Sequence, residues 1–258
     1  MRGAIAALAA ACLASAAAFA DDGLVRIDTR PGVKVGYWMM ERPKAAATLV
    51  LLPGGEGGIG LKDGALHSTN FLVRERDRFA AAGFNVAIVG KPSDRDDLDL
   101  AFRAGPEHVE DLRRVVEALH ARYGKPVWLV GTSRGTVSAA AAAIALGDAI
   151  AGVVLTSSIT ASNVPQAVEK LPLAKIRVPV LVVHHRKDAC PDTPALQAPR
   201  IVEGLANAPA KKLVLMDGGH GARGGHCQPL HWHGFIGVEQ ETVDAIADFI
   251  RDRRPEPG

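Results

Sequence analysis

Short apolar runs alternate with helix-like segments along most of this chain, and this alternation limits its fold more than any other feature. The run Thr48–Leu52 ends at a Pro-Gly turn and has the pattern of a buried strand. Glu107–Tyr123 carries apolar residues at helical spacing, and a Gly-Lys-Pro segment ends it before the next run, Val127–Val130. Strands that alternate with helices predict an α/β fold with a mostly parallel central sheet and helices on both faces.

The rest of the chain follows the same two patterns. The other predicted strands are Leu24–Asp28, Val33–Met40, Phe84–Val89, Gly152–Leu155, Val180–Val183 and Leu213–Met216. The other predicted helices are Phe71–Ala82, Gly135–Leu146, Ala195–Leu205 and Val238–Ile250. We expect the first two strands to pair antiparallel around a Pro-Gly turn. The stretch between Leu155 and Val180 is too short for a large lid domain, so little or no cap is expected.

Length and charge fit one domain and exclude some partners. The 258 residues are 48% hydrophobic, which suits a single domain with a substantial core, expected over residues 21–258. The formal net charge is +2, and Lys and Arg are scattered rather than clustered. We therefore expect no nucleic-acid partner. The sequence makes no prediction about oligomeric state.

The first twenty residues have the pattern of a secretory signal peptide. Met1-Arg2 supplies a positive start, Ala4–Ala18 is apolar, and a small-x-small cleavage pattern ends at Ala20. The apolar stretch is too short for a membrane span, and no other segment approaches one. A lipoprotein start at Cys12 is the alternative, although the residues after Cys12 remain apolar. The sequence predicts export to the periplasm or beyond, with cleavage near Ala20.

Removal of such a peptide leaves two cysteines, Cys190 and Cys227. An even pair in an oxidising compartment usually forms a disulfide, so we expect these two residues to be linked. The alternative is two unrelated free thiols.

Gly131-Thr132-Ser133-Arg134-Gly135 is a G-x-S-x-G motif between a predicted strand and an Ala-rich predicted helix. A sharp strand-to-helix turn holds such a serine in a strained backbone at the carboxyl edge of the sheet. The flanking glycines avoid collisions with the neighbouring strand and helix, and the positive end of the helix points at the serine oxygen. The motif therefore makes Ser133 a candidate nucleophile.

With this motif the chain resembles the α/β-hydrolase superfamily, and its dienelactone-hydrolase-like and esterase members in particular. The resemblance covers nearly all of the chain after residue 20, and candidates occur in the expected order of nucleophile, acid and histidine. It implies an oxyanion hole built from two backbone N–H groups. One belongs to Arg134, and the other to Gly55, with Glu56 as the alternative.

A serine hydroxyl needs a base within hydrogen-bond reach and an acid that orients the base. The resemblance places the acid on the turn after Val180–Val183, where Asp188 is the candidate and Asp192 its competitor. His184 and His185, on the same turn, are expected to be local supports.

Two histidines compete for the role of base. His220 follows the last predicted strand directly, but it lies in a glycine-rich segment that fixes a side chain poorly. His233 begins an HGF segment that, in several α/β-hydrolases, presents the histidine before the closing helix. We favour His233 and keep His220 as the alternative base.

The resemblance implies a serine hydrolase that cleaves a carboxylic ester or a related acyl bond of a small molecule. Such chemistry proceeds through an acyl-enzyme and needs no metal or organic cofactor. Fold analogy does not separate ester, thioester and amide substrates.

Two other interpretations of the sequence compete with the serine-hydrolase prediction. Residues 55–60 match the G-x-G-x-x-G dinucleotide fingerprint, but no helix is predicted directly after Gly60. The segment with His220, His226, Cys227, His231 and His233 is dense in possible metal ligands, so a non-hydrolytic periplasmic metal-binding protein is the alternative function. A disulfide at Cys227 would remove that residue from the ligand set.

Overall fold

The structure is a computed structural model that describes residues 22–253, so the predicted signal peptide lies outside the described residues. The strands are β1 Gly23–Arg30, β2 Val33–Met40, β3 Thr48–Leu52, β4 Leu61–Lys62, β5 Ala65–Leu66, β6 Asn85–Pro92, β7 Val127–Thr132, β8 Gly152–Thr156, β9 Val180–His185 and β10 Lys211–Met216. The helices are α1 Phe71–Arg74, α2 Arg76–Ala81, α3 Leu100–Ala104, α4 Pro106–Tyr123, α5 Gly135–Leu146, α6 Ala198–Gly204 and α7 Glu239–Arg251.

Eight strands form the central sheet in the order β1-β2-β6-β3-β7-β8-β9-β10, and β4 pairs with β5 in a separate hairpin. The pairs from β6 to β10 are all parallel, whereas β2 is antiparallel to both of its neighbours. The predicted fold class and the predicted antiparallel opening pair are therefore confirmed.

Each face of the sheet has its own apolar core. Along β3, Val50 and Leu52 face a cluster that includes α4, α5 and α6, whereas Leu49 and Leu51 face one that includes α1, α2 and α7. This is the alternation of side chains expected for a strand covered on both faces. It explains why β3 is apolar at nearly every position rather than at every second one.

Two local predictions differ from the structure. The helix predicted over residues 71–82 is divided at Glu75, whose buried carboxylate forms ion pairs with Arg74 and Arg78. The short helix Leu100–Ala104 and the β4–β5 hairpin were not predicted, because five-residue and two-residue elements carry too little periodicity. Between β8 and β9 lie only 3₁₀ turns, at Val168–Lys170 and Leu173–Lys175, so the absence of a large cap is confirmed for the described residues.

The topology collects several chain segments at one edge of the sheet. Parallel strands end at the same edge, and in open α/β sheets ligands bind outside these carboxyl ends. The β3 loop (residues 53–60), Ser133 after β7, the turn after β9 and the histidine loop (residues 217–238) after β10 all start there. Among residues 22–253, no helix has the length and apolar character needed to cross a membrane.

Candidate active site

Ser133 occupies a strained turn between β7 and α5. Its φ of 53° lies in the left-handed region, which costs a non-glycine residue about 1–3 kcal/mol. The turn is fixed by neighbouring backbone: the Ser133 N–H donates to Thr156 O at 3.0 Å, and the Thr136 hydroxyl donates to Ser133 O at 2.6 Å. A Cβ at Gly135 would lie 2.0 Å from Leu52 O, so this position requires glycine. The predicted strand–turn–helix context of Ser133 is present.

The β3 loop approaches the serine closely. A Cβ on Gly54 would lie 2.8 Å from the Ser133 Cβ, so only glycine fits there. Neither the Gly55 N–H nor the Arg134 N–H donates to an acceptor within residues 22–253, and the same holds for the Glu56 N–H. Backbone donors without protein partners beside a candidate nucleophile are what an oxyanion hole requires.

Asp188 and His233 form a buried hydrogen-bonded pair. His233 Nδ1 donates to Asp188 Oδ2 at 3.0 Å, and each residue is only 6% exposed. Asp188 lies in the turn after β9, and His233 lies in a 3₁₀ turn of the histidine loop, Trp232–Gly234. A hydrogen bond through Nδ1 leaves the other ring nitrogen, Nε2, free to act on a neighbouring group.

Thr193 belongs to this cluster and was missed in the sequence. Its hydroxyl donates to Asp188 Oδ2 at 3.0 Å and lies 3.1 Å from His233 Nδ1. The second carboxylate oxygen, Asp188 Oδ1, accepts from the Cys190 N–H at 3.0 Å. The carboxylate is thus held at both oxygens. A threonine five residues after the acid carries no pattern of its own, so only the folded turn reveals it.

The backbone around His233 is anchored from two sides. The Ser157 hydroxyl donates to His233 O at 2.8 Å. Phe235 is fully buried, and its ring centroid lies 4.9 Å from that of Phe71. Cys190 and Cys227 form a disulfide, which ties the histidine loop to the turn that carries Asp188.

The competing residues lie elsewhere. His220 is exposed, and its imidazole makes no hydrogen bond within residues 22–253. Asp192 is exposed, and its backbone carbonyl, not its carboxylate, accepts hydrogen bonds. His184 is fully buried, its Nε2 accepts from the Ser158 N–H at 2.9 Å, and burial lowers its pKa to about 4. A neutral histidine in that position fits the predicted supporting role. The other support, His185, is also buried, and its Nδ1 accepts from the Lys187 N–H.

The histidine loop does not gather a metal site. Within residues 22–253, the one group of three potential ligands whose atoms lie within 4.8 Å of one another is Cys190, Asp192 and Cys227, and both sulfurs belong to the disulfide. No three of the histidines between residues 220 and 233 meet the same limit. The observation that suggested a metal-binding protein, a dense run of ligands in sequence, is not matched by proximity in space.

Ser133 and His233 line one open cleft of about 690 Å³. Its walls are the β3 loop, residues 67–70 and residues 227–229. The glycines of the dinucleotide-like pattern thus lie beside the serine, and Gly60 is followed by the β4–β5 hairpin rather than by a helix. No hydrogen bond joins Ser133 Oγ to His233 among the described residues; in unliganded enzymes such bonds are often long and tighten when substrate binds.

Comparisons by sequence find no match for this chain, whereas comparison with solved structures finds proteins of similar fold. No protein-family model matches the chain, and no curated protein matches its sequence. An esterase from Pyrococcus furiosus superposes with a TM-score of 0.67 at 15% identity, covering 92% of each chain. A serine hydrolase without a lid from Xanthomonas campestris gives 0.63 at 17% identity, covering 92% of this chain and 97% of that one. An acylaminoacyl peptidase from Pyrococcus horikoshii gives 0.64 at 14% identity, covering 94% of this chain and 43% of that one.

These neighbours superpose on most of this chain, and one of them is described as a serine hydrolase without a lid. The chain therefore has the α/β-hydrolase fold in its lid-less form.

Proposed function

We propose that this chain is a serine hydrolase that cleaves a carboxylic ester or a related acyl bond through a Ser133 acyl-enzyme. The observation that carries the proposal is the buried hydrogen bond between Asp188 and His233, on the same cleft as a serine held in a strained strand-to-helix turn. A buried carboxylate–imidazole pair next to a serine at such a turn is the arrangement that activates a hydroxyl nucleophile.

In the proposed mechanism, Ser133 Oγ attacks the substrate carbonyl carbon while His233 Nε2 takes the serine proton. Asp188 keeps the proton on His233 Nδ1 and stabilises the imidazolium that forms. The bond from the carbonyl carbon to the leaving oxygen then breaks, and His233 returns the proton to the departing alcohol. Water repeats the sequence on the acyl-enzyme, which releases the acid and restores Ser133.

The Gly55 and Arg134 N–H groups are proposed to hold the oxyanion of the tetrahedral intermediate. Neither N–H donates to an acceptor in the described part of the chain. Arg134 precedes α5, so the positive end of the helix dipole adds to the field at the serine.

The cleft favours short, water-soluble esters. The side chains on its walls are mostly small or polar, including Glu56, Ser68, Thr69, Asn70 and Gln228. A long acyl chain gains its binding free energy by packing against large apolar side chains, and no large aliphatic side chain and no Phe, Tyr or Trp is among the described residues that line this cleft. Because no lid covers the cleft among residues 22–253, we expect activity on dissolved ester without an oil–water interface.

Labelling with a fluorophosphonate tests the nucleophile. Wild type should be labelled covalently, with the label on the Ser133 peptide, and Ser133→Ala should be unlabelled and inactive. Ser68→Ala is the matched control, because Ser68 lines the same cleft. Equal labelling of wild type and Ser133→Ala would refute the proposal.

An ester panel tests the substrate class. Acetyl and butyryl esters should give higher kcat/KM than octanoyl esters, and emulsified substrate should give no step in rate. A preference for long chains, or strong activation at an interface, would refute the short-chain assignment.

We also propose that the chain acts outside the cytoplasm after cleavage near Ala20. The signal-peptide pattern and the disulfide both support this, because structural disulfides persist in oxidising compartments. N-terminal sequencing of the exported protein should find Asp21 first; retention of the full-length chain in the cytoplasm would contradict it.

A further inference from the structure

Arg103, in the short helix α3, is 1% exposed and is the largest fully buried side chain of the described residues. Among the described residues, no carboxylate lies within ion-pair distance of the Arg103 guanidinium. Burying a guanidinium without a paired carboxylate costs several kcal/mol unless hydrogen bonds replace its hydration. The hydrogen bonds of the Arg103 guanidinium must therefore offset its loss of hydration, and the groups that accept them are held in place by it.

The guanidinium hydrogen bonds join three parts of the molecule. Nη2 donates to the β3 loop, at Pro53 O (3.2 Å) and Gly55 O (3.1 Å). Nη1 donates to the Ser138 hydroxyl on α5 at 2.9 Å, and Nε donates to Leu98 O at 2.8 Å. Arg103 thus connects the β3 loop to α5, the helix whose first residue lies two positions after Ser133.

This connection spans the two halves of the proposed oxyanion hole. One N–H donor, Gly55, lies on the β3 loop, whereas the other, Arg134, lies at the start of α5. Their separation depends on how the loop sits against the helix, and Arg103 hydrogen-bonds to both elements. The Leu98 N–H also donates to Glu56 O at 3.0 Å, so the segment before α3 grips the same loop.

The guanidinium also adds positive charge behind the loop. Burial lowers the pKa of Arg103 to about 9, so the side chain stays protonated at neutral pH. The neighbouring His108, bonded to the Ser138 hydroxyl at 2.9 Å, has a pKa lowered to about 3 by burial and is neutral there. A fixed cation near a site where negative charge develops stabilises that charge most strongly in a water-poor environment.

We propose that Arg103 is a positioning residue for the oxyanion hole: it fixes the Gly55 N–H relative to the Arg134 N–H and adds positive potential at the developing oxyanion. The proposal rests on the proposed function, because the hole exists only if Ser133 forms a tetrahedral intermediate.

Arg103→Met removes the hydrogen bonds and the charge, whereas Arg103→Lys keeps the charge and loses the fork geometry. Loss of one oxyanion donor typically lowers kcat about 10²–10³-fold, and we expect about 100-fold for Arg103→Met, with KM within about twofold. Arg103→Lys should lie between Arg103→Met and wild type. Affinity for a trifluoromethyl ketone, which forms a tetrahedral anion on the serine, should fall by the same factor as kcat.

The control for lost stability is Leu119→Ala, a fully buried position on α4. It should lower Tm while leaving kcat and trifluoromethyl ketone affinity unchanged below its own unfolding range. If Arg103→Met does not fold, Ser138→Ala removes a single Arg103 partner and should lower kcat about tenfold with the same unchanged KM.

Arg103 variants with lowered Tm but wild-type kcat and ketone affinity would overturn the proposal and leave Arg103 a structural residue. Failure of wild type to label at Ser133 would instead overturn the proposed function. The two failures are therefore distinguishable in one set of proteins.

Discussion

The β3 loop and the histidine loop border the same cleft, yet they are held by different means. The β3 loop is fixed from beneath by the buried guanidinium of Arg103, which donates to two of its carbonyl groups. The histidine loop is fixed by the Cys190–Cys227 disulfide and by Arg74, which donates to Pro229 O at 3.2 Å and Gly234 O at 2.7 Å.

The difference follows from how much of each loop is buried. The β3 loop is short and lies over α3 and α5, so a desolvated cation can reach its carbonyls. Most of residues 217–229 are exposed, and Cys227 is exposed although Cys190 is buried. Hydrogen bonds in water are worth little, whereas a covalent bond retains its effect there. A long exposed loop that holds a side chain such as His233 in place therefore gains more from a disulfide.

The largest effect is expected at the histidine loop itself. His233→Ala should lower kcat by about 10⁴ or more, close to Ser133→Ala, because base and nucleophile act as a unit. His220→Ala should fold and keep most of the activity, because its side chain is exposed and without a partner among the described residues. Steady-state kinetics on an acetyl ester measures both. An inactive His220→Ala beside an active His233→Ala would move the base to His220.

Removal of the disulfide should loosen the histidine loop and leave the conformation of the β3 loop unchanged. The two cysteines are 37 residues apart, so the chain-entropy estimate gives a loss of about 4 kcal/mol in the free energy of unfolding for Cys190→Ser/Cys227→Ser. A catalytic group displaced by about 1 Å costs about 100-fold in rate, and we expect a fall in kcat of that order.

Urea unfolding and kcat, each with and without reductant, measure this effect. Reduced wild type should match the double variant, and Arg103→Met should show no response to reductant beyond that of wild type. Unchanged kcat after verified reduction would show that Arg74 and the packing of Phe235 suffice to hold His233.

Thr193 allows a finer test of the turn after β9, which carries Asp188, the proposed acid. Thr193→Val removes the hydroxyl that contacts both Asp188 Oδ2 and His233 Nδ1 and keeps the shape of the side chain. A hydrogen bond to a charged group is worth about 1.5–3 kcal/mol, so kcat should fall at least about tenfold. Thr193→Ser keeps the hydroxyl and should retain most of the activity. Wild-type kcat in Thr193→Val would show that the hydroxyl does not contribute, and a loss confined to Thr193→Ser would assign the effect to the methyl group instead.

The sequence predicted those parts of the fold and site that leave a local pattern. The strand Thr48–Leu52 and the helix Gly135–Leu146 were predicted with their observed bounds, because each is a continuous apolar segment between turn residues. Ser133 was predicted to be a nucleophile because a strand-to-helix elbow demands glycines at fixed positions, and it does lie at such a turn. The disulfide, too, required only a count of cysteines.

Contacts made by single side chains across long sequence separations left no such pattern. Thr193 and Arg103 lie in segments that resemble ordinary loop and helix sequence, and Arg103 had no predicted role. The role proposed for Arg103 depends on its burial and on hydrogen bonds to carbonyl groups about fifty residues away in sequence, at Pro53 and Gly55. By contrast, His184 could be predicted to be a local support because it lies four residues before Asp188, and its Nε2 accepts from the Ser158 N–H.

A buried histidine with a lowered pKa lies close to each of these two regions, and acid should destabilise the fold at both. His108 lies behind the β3 loop with its pKa lowered to about 3, and His184 lies before the acid turn with its pKa lowered to about 4, in both cases chiefly by burial. The unfolded chain takes up a proton on each near pH 6.5, whereas the folded chain does not until the lowered pKa is reached. The stability that these groups provide is therefore complete above about pH 6.5 and is lost as pH falls towards 4.

Each histidine should contribute about 1.4 kcal/mol per pH unit across that window. Glu41 and Asp94, whose pKa values are lowered chiefly by hydrogen bonds from Tyr123 and Arg30, add losses only below their ordinary pKa. Urea unfolding at pH values from about 4.5 to 7 measures how steeply the free energy of unfolding depends on pH. This range begins about two units below the ordinary histidine pKa. His108→Gln and His184→Gln should each make the slope of that dependence shallower, by similar amounts. If only one of them does, only that histidine contributes to the slope; if neither does, the two histidines are protonated in the folded chain.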